Sequence, residues 1–160
     1  MSPYKIEIES EVDVPSEMEE SVAAAAAAAL RYEEVASPAS LSIVLADDSS
    51  IQELNRNYRG VDSATDVLSF PAGEPMPGME ELPLYLGDIM ISVPYAQRQA
   101  AQQGHTLSEE VQLLAVHGVL HLLGHDHLLS DEKEAMWQSQ REILASLDLS
   151  HVVPTEDPHD

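Results

Sequence analysis

The sequence predicts one α+β domain, with a mixed sheet of about four strands and about five helices. Three observations predict it. Short segments alternate apolar and polar residues with period 2, while longer segments repeat apolar residues every three to four positions. The 160 residues contain no internal repeat and no linker, which fits a single domain at ~100–200 residues each. Apolar residues make up 44 % of the chain, enough for a packed core without disulfides, and there is no cysteine to form one. The expected domain spans residues 1–150, followed by a flexible acidic tail over 151–160.

The elements follow in order. Tyr4, Ile6 and Ile8 alternate with polar residues and predict a half-buried strand. Pro15 and Ser16, followed by Glu17, Glu19 and Glu20, predict a helix start, because acids favour the positive end of the helix dipole. The helix runs through Ala23–Ala29 to about Glu34, and small alanines of high helix propensity suit close packing on a sheet. After Pro38, Leu41, Ile43 and Leu45 alternate as a second strand ending at Asp47 and Asp48. A short helix from Ser49 or Ser50 to about Tyr58 follows, then strands over Val67–Phe70 and Leu86–Ser92. Between those strands, Pro71 to Pro83 holds four prolines and two glycines, so neither helix nor sheet continues there.

Pro94 opens another helix, ended by Gly104. Thr106 and Glu109 have capping-box spacing, and Leu107, Val111, Leu114, Ala115 and Leu122 carry the next helix to Gly124. A last amphipathic helix runs from about Ser130 to Leu147.

Composition excludes several functions. With 29 acidic and 7 basic residues the net charge is −22, which argues against binding nucleic acid by general attraction to phosphate, and no DNA partner is expected. Without cysteine there is no iron–sulfur cluster and no thiol nucleophile, so any metal is held by nitrogen and oxygen. The alanine run is far shorter than the ~20 apolar residues of a membrane span. No basic stretch precedes an apolar core near Met1, so a cytoplasmic location is expected.

The most informative segment is His117-Gly-Val-Leu-His121-Leu-Leu-Gly124-His-Asp-His127. Residues four apart share one helix face, so His117 and His121 can direct both rings at one ion. Gly124 can take the left-handed conformation that turns the chain back and brings His127 round as a third ligand. Three imidazoles with one open position match a catalytic zinc site, whereas structural sites close all four positions. His125 and Asp126 can orient ligands or simply face solvent, and His105, His151 and His159 fall outside the spacing. The ligand positions match the zinc-protease pattern H-E-x-x-H-x-x-G-x-x-H, but Gly118 stands where that pattern has its general base. This favours a metal hydrolase that is not an ordinary protease.

A second polar cluster, Leu54 to Phe70, contains Arg59, whose planar guanidinium suits a phosphate or the charge that grows on it in a transition state. A surface salt bridge to Asp62 or Asp66 is the ordinary alternative. Asp66 and Asp88 sit beside apolar strand residues and can be turn residues, hydrogen-bond acceptors or the missing proton acceptor.

The segments Leu54–Pro71, Leu86–Ser92 and His117–His127, with Thr65-Asp-Val-Leu-Ser-Phe70 among them, resemble the YbeY family of bacterial rRNA maturation factors. The resemblance runs from Leu41 to about Leu147. It implies a zincin-like α+β fold and a single-strand-specific, metal-dependent endoribonuclease acting in 16S rRNA 3′-end maturation and ribosome quality control. It further implies one zinc ion on His117, His121 and His127, with Arg59 important for activity and Met136 matching the family's methionine. His125 departs from the family, which has a bulky aromatic there, and the alanine run and acidic tail lie outside its signature. The implied partners are single-stranded rRNA, the small ribosomal subunit, and ribosomal proteins or an assembly GTPase. Competing readings are an assembly factor with a structural zinc and a hydrolase of small esters or peptides; Gly118 speaks against the peptidase.

The acidic excess is uneven. It crowds the N-terminal segment and the C-terminal stretch, whereas Arg56 and Arg59 nearly balance Glu53, Asp62 and Asp66 across Ile51–Pro71. A locally positive cleft in an acidic shell is expected, with weak non-specific RNA binding and recruitment through ribosomal partners.

Overall fold

The computed structural model describes residues 4–72, 84–124 and 130–152. Alternating side chains place one face of each strand inward. The strands are β1 (Tyr4–Ser10), β2 (Ala39–Ala46), β3 (Val67–Pro71) and β4 (Leu84–Ser92), in sheet order β1-β2-β4-β3. β1, β2 and β4 run parallel, and β3 pairs antiparallel with β4 at the sheet edge. The sheet is therefore mixed, as expected. Leu41, Ile43 and Leu45 of β2 and Ile89 and Ile91 of β4 are all fully buried and form its inner face.

Five helices complete the α+β fold: α1 (Ser16–Tyr32), α2 (Asp48–Arg59), α3 (Val93–Gln103), α4 (Leu107–Leu122) and α5 (Ser130–Ser146). α1 packs chiefly against α4 and also against β1, and its buried alanines, Ala25, Ala26, Ala28 and Ala29, suit that close approach. α2 begins earlier than the sequence suggests because Asp47, not a serine, is its N-cap, with its carboxylate accepting from the Ser50 N–H at 2.8 Å. The capping box of α4 forms in both directions. Thr106 Oγ1 accepts from the Glu109 N–H at 3.1 Å, and the Glu109 carboxylate accepts from the Thr106 N–H at 2.8 Å.

α4 departs from a one-sided amphipathic helix. Leu113, Val116, Val119 and Leu120 are buried along with the expected inner face. The sheet, α1, α3 and α5 surround it, leaving little of its circumference to water. Its central position fixes whatever its side chains carry. The packed domain also runs past residue 150, since His151 contacts Glu109 and Val152 is buried; the rest of the expected tail, 153–160, lies outside the described residues. Most of the Pro71–Pro83 connection, residues 73–83, does so too. Among the described residues no helix is long and apolar enough to cross a membrane.

Candidate active site

One helical turn separates His117 from His121 on α4, and both side chains are half-buried. Their Nε2 atoms lie 3.1 Å apart, with ring centroids 4.6 Å apart. Two nitrogens bound to one tetrahedral zinc at ~2.0–2.1 Å sit about 3.3 Å from each other, so the spacing of this pair, which places the two Nε2 atoms within hydrogen-bond distance, is also that of two ligands on one ion. The Nδ1 atom of His117 meets Oε1 of Gln140 on α5 at 3.0 Å, and Gln140 is only 3 % exposed. A carboxamide oxygen only accepts, so the neutral ring carries its proton on Nδ1 and keeps the Nε2 lone pair for a ligand. These donors fit a zinc ion.

Among the described residues no set of three histidines or carboxylates converges on one point. His127, the expected third ligand, lies outside the described residues, as do His125 and Asp126. The turn that precedes them is present: Gly124 has φ +96°, and its N–H donates to the His121 carbonyl at 3.0 Å. That positive φ is the glycine-favouring conformation that the spacing requires.

Gly118 has a packing reason. A Cβ there would sit 2.9 Å from Cγ2 of Ile89, so α4 rests directly on β4 at this residue. The position that holds the glutamate in zinc proteases therefore faces the sheet, not the cleft. The Gly118 carbonyl also accepts from Ser69 Oγ at 3.2 Å, tying edge strand β3 to the helix beside His117.

Arg59, in the last turn of α2, lines the same cleft as His121. The cleft measures about 460 Å³, and Tyr58, Ser69 and Phe70 also line it. A neighbouring cleft of about 410 Å³ contains Arg59 with Asn55, Ser63, Thr65 and Tyr95. Asp62, one of the two acids weighed as salt-bridge partners for Arg59, is engaged by Gln52 at 3.1 Å and Arg56 at 3.8 Å. Arg59 and His121 therefore share one cleft, although they lie on different helices.

Asp66 and Asp88, the two candidate proton acceptors, are not among the residues that line the His121 cleft. Asp66 is buried, and its Oδ1 accepts from the Val67 N–H at 2.7 Å and Thr65 Oγ1 at 3.3 Å. Asp88 is exposed next to Ile89, so strand alternation turns it to the sheet face opposite α4, where it accepts from the Tyr85 hydroxyl at 2.5 Å. Met136 is buried one turn before Gln140 on α5.

His105 does not join the His117–His121 pair. Its ring contacts Glu110, and both side chains are almost wholly buried. Burial pushes the Glu110 carboxyl above its ordinary range, and the Asp66 charge pushes it further, while His105 pulls it back. His151 sits outside the cleft, against Glu109. Gln140 escaped the sequence reading because a glutamine in an amphipathic helix carries no spacing signal for a histidine 23 residues earlier.

Residues 5–148 match the family Endoribonuclease YbeY. The chain is 49 % identical over 128 residues to a protein of that name from Pelotomaculum thermopropionicum, covering 79 % of this chain and 84 % of the relative. It is 41 % identical over 145 residues to the one from Desulforamulus reducens, covering 89 % and 95 %. The solution structure of TM1509 from Thermotoga maritima has the same fold, with a TM-score of 0.57 at 24 % identity over 97 % of this chain and 99 % of that one.

Proposed function

The chain belongs to the endoribonuclease YbeY family, and on that premise we propose that it is a zinc-dependent endoribonuclease for single-stranded rRNA. Its substrate is the 3′ region of 16S rRNA on the small ribosomal subunit, in the cytoplasm, reached through ribosomal proteins or an assembly GTPase. The observation that carries the reading is the pairing of two Nε2 atoms 3.1 Å apart with a guanidinium in the same cleft. His117, His121 and His127 would hold the zinc ion. When bound, the ion supplies Lewis acidity, which makes water a usable nucleophile near neutral pH.

The chain's own groups do the rest. Gln140 keeps the His117 proton on Nδ1 and the Nε2 lone pair free for coordination. Arg59 grips a non-bridging phosphate oxygen, and its fixed charge is worth most as negative charge builds there in the transition state. Neither Asp66 nor Asp88 has its carboxylate committed to this cleft, and Gly118 supplies no base. The nucleophile is accordingly either water or the ribose 2′-hydroxyl.

The test couples metal analysis to cleavage of a precursor 16S 3′ segment, comparing the wild type with His121→Ala. Zinc and cleavage should disappear together in the variant. Full cleavage by demonstrably zinc-free protein would overturn the reading. Products ending only in cyclic phosphate would assign the attack to the 2′-hydroxyl.

A further inference from the structure

Aromatic residues are scarce in this chain, with five tyrosines, one tryptophan and one phenylalanine in 160 residues. The single phenylalanine, Phe70, and Tyr58 meet at the cleft that holds Arg59 and His121. Their rings stand edge to face, with centroids 5.6 Å apart and planes at 66°. Tyr58 is 71 % exposed, the most open large apolar side chain among the described residues. Tyr32 and Tyr85 are also exposed, but their hydroxyls are engaged by Glu142 and by Ser42 and Asp88 respectively. Tyr58 is largely open to solvent, and its edge-to-face contact with Phe70 holds its ring at the cleft. It directly precedes Arg59 in the last turn of α2, and both side chains line the same cleft.

We propose that Tyr58, braced by Phe70, is a stacking subsite for an unpaired nucleobase whose neighbouring phosphate is held by Arg59. This deepens the endoribonuclease reading and rests on it. A base inside a duplex has both faces covered by its neighbours and cannot stack on Tyr58, whereas a single-stranded base can. The subsite thereby supplies a physical source of preference for single strands. It also supplies affinity without a basic surface, which a chain of net charge −22 does not have in bulk. Stacking is indifferent to base identity, since every base has a π face.

The experiment uses the full chain, loaded with zinc, and 2′-O-methyl oligoribonucleotides, checked to stay intact over the measurement, in which 2-aminopurine is moved one position at a time. Wild type and Tyr58→Phe should quench the probe at one register, because both present an aromatic face. Tyr58→Ala should lose that quenching and bind about 5- to 150-fold more weakly, the range expected for one lost base–aromatic stack. The slope of affinity against salt should not change, because no phosphate contact is removed. Thermal melting and zinc content checked in parallel separate this from damage to the fold.

Unchanged affinity and quenching in Tyr58→Ala, with the wild type still cleaving unmodified RNA, would overturn the stacking subsite alone. A wild type that neither binds nor cleaves RNA would overturn the endoribonuclease reading and the subsite with it.

Discussion

Gln140 Oε1 and His117 Nδ1 lie 3.0 Å apart, joining α5 to α4 at the candidate metal centre. This fixes the imidazole's tautomer and rotation from a residue that never reaches the cleft. Replacing Gln140 with leucine keeps the packing volume but leaves a half-buried N–H without its acceptor. Zinc affinity, read by competition with a chromophoric chelator, should fall about 10- to 100-fold, the usual effect of removing such a partner. Gln140→Glu should retain wild-type affinity, since a carboxylate accepts the same proton. Equal affinities for the leucine variant and the wild type would show that the contact does not orient the ligand.

Arg59 is exposed and terminates α2, so its loss should leave stability within about 0.5 kcal/mol. Arg59→Ala should lower kcat for RNA cleavage about 100- to 1,000-fold, as loss of a transition-state donor does. Arg59→Lys should recover part of that loss, because the charge returns without the fork. Zinc content should be the same in all three proteins. A drop in zinc content alongside activity would assign the arginine a structural role instead.

Gly118 and Ile89 test the seating of α4 on the sheet. Two effects oppose each other in Gly118→Ala. Overpacking against Ile89 costs about 1–3 kcal/mol, while alanine gains about 1 kcal/mol over glycine in a helix interior. The melting temperature should therefore drop by a few degrees at most in the wild-type background. In the Ile89→Ala background, where the clash is gone, the same substitution should raise it. A drop of equal size in both backgrounds would mean that Ile89 is not the obstacle. Gly118→Glu should unfold the domain and not create a protease, because it buries an unpaired carboxylate against β4.

Glu110 contributes a pH dependence of definite sign. Its folded-state pKa is raised chiefly by burial, so the native state holds the proton more tightly than the unfolded chain. The stability this provides is fully present below the ordinary glutamate range, ~4.3, and is lost as pH rises through the folded pKa. Glu110→Gln removes that titration while keeping a group that can bond His105. Its melting temperature relative to the wild type should become more favourable between pH 4.5 and pH 7.5. A difference that stays flat, or runs the other way, would mean that the His105 contact compensates the burial completely.

The elements were legible wherever their cause is local. Period-2 runs marked β1 and β2, short apolar runs marked β3 and β4, the Thr106–Glu109 spacing marked the start of α4, and Gly104 and Gly124 marked helix ends, because hydrogen-bond closure and backbone freedom act over a few residues. The His117–His121 pair was equally legible, since a four-residue spacing on a helix is a statement about geometry. The family, too, was recognisable from its motifs.

What lies beyond a few residues was decided by packing. Nothing local places β4 between β2 and β3, or puts α4 among the sheet, α1, α3 and α5. Gly118 reads in sequence as a missing base, and only its contact with Ile89 shows why a side chain is excluded. Arg59 is separated from His121 by more than sixty residues, and the edge position of β3 makes them share a cleft. Gln140 had no motif to mark it, and Tyr58 lay inside the Leu54–Pro71 segment without a role of its own, because a glutamine's acceptor and a tyrosine's exposed ring acquire meaning only from the neighbour that the fold delivers. Charge divides in the same way: −22 describes the chain, while an arginine in the cleft of His121 is a property of the folded surface.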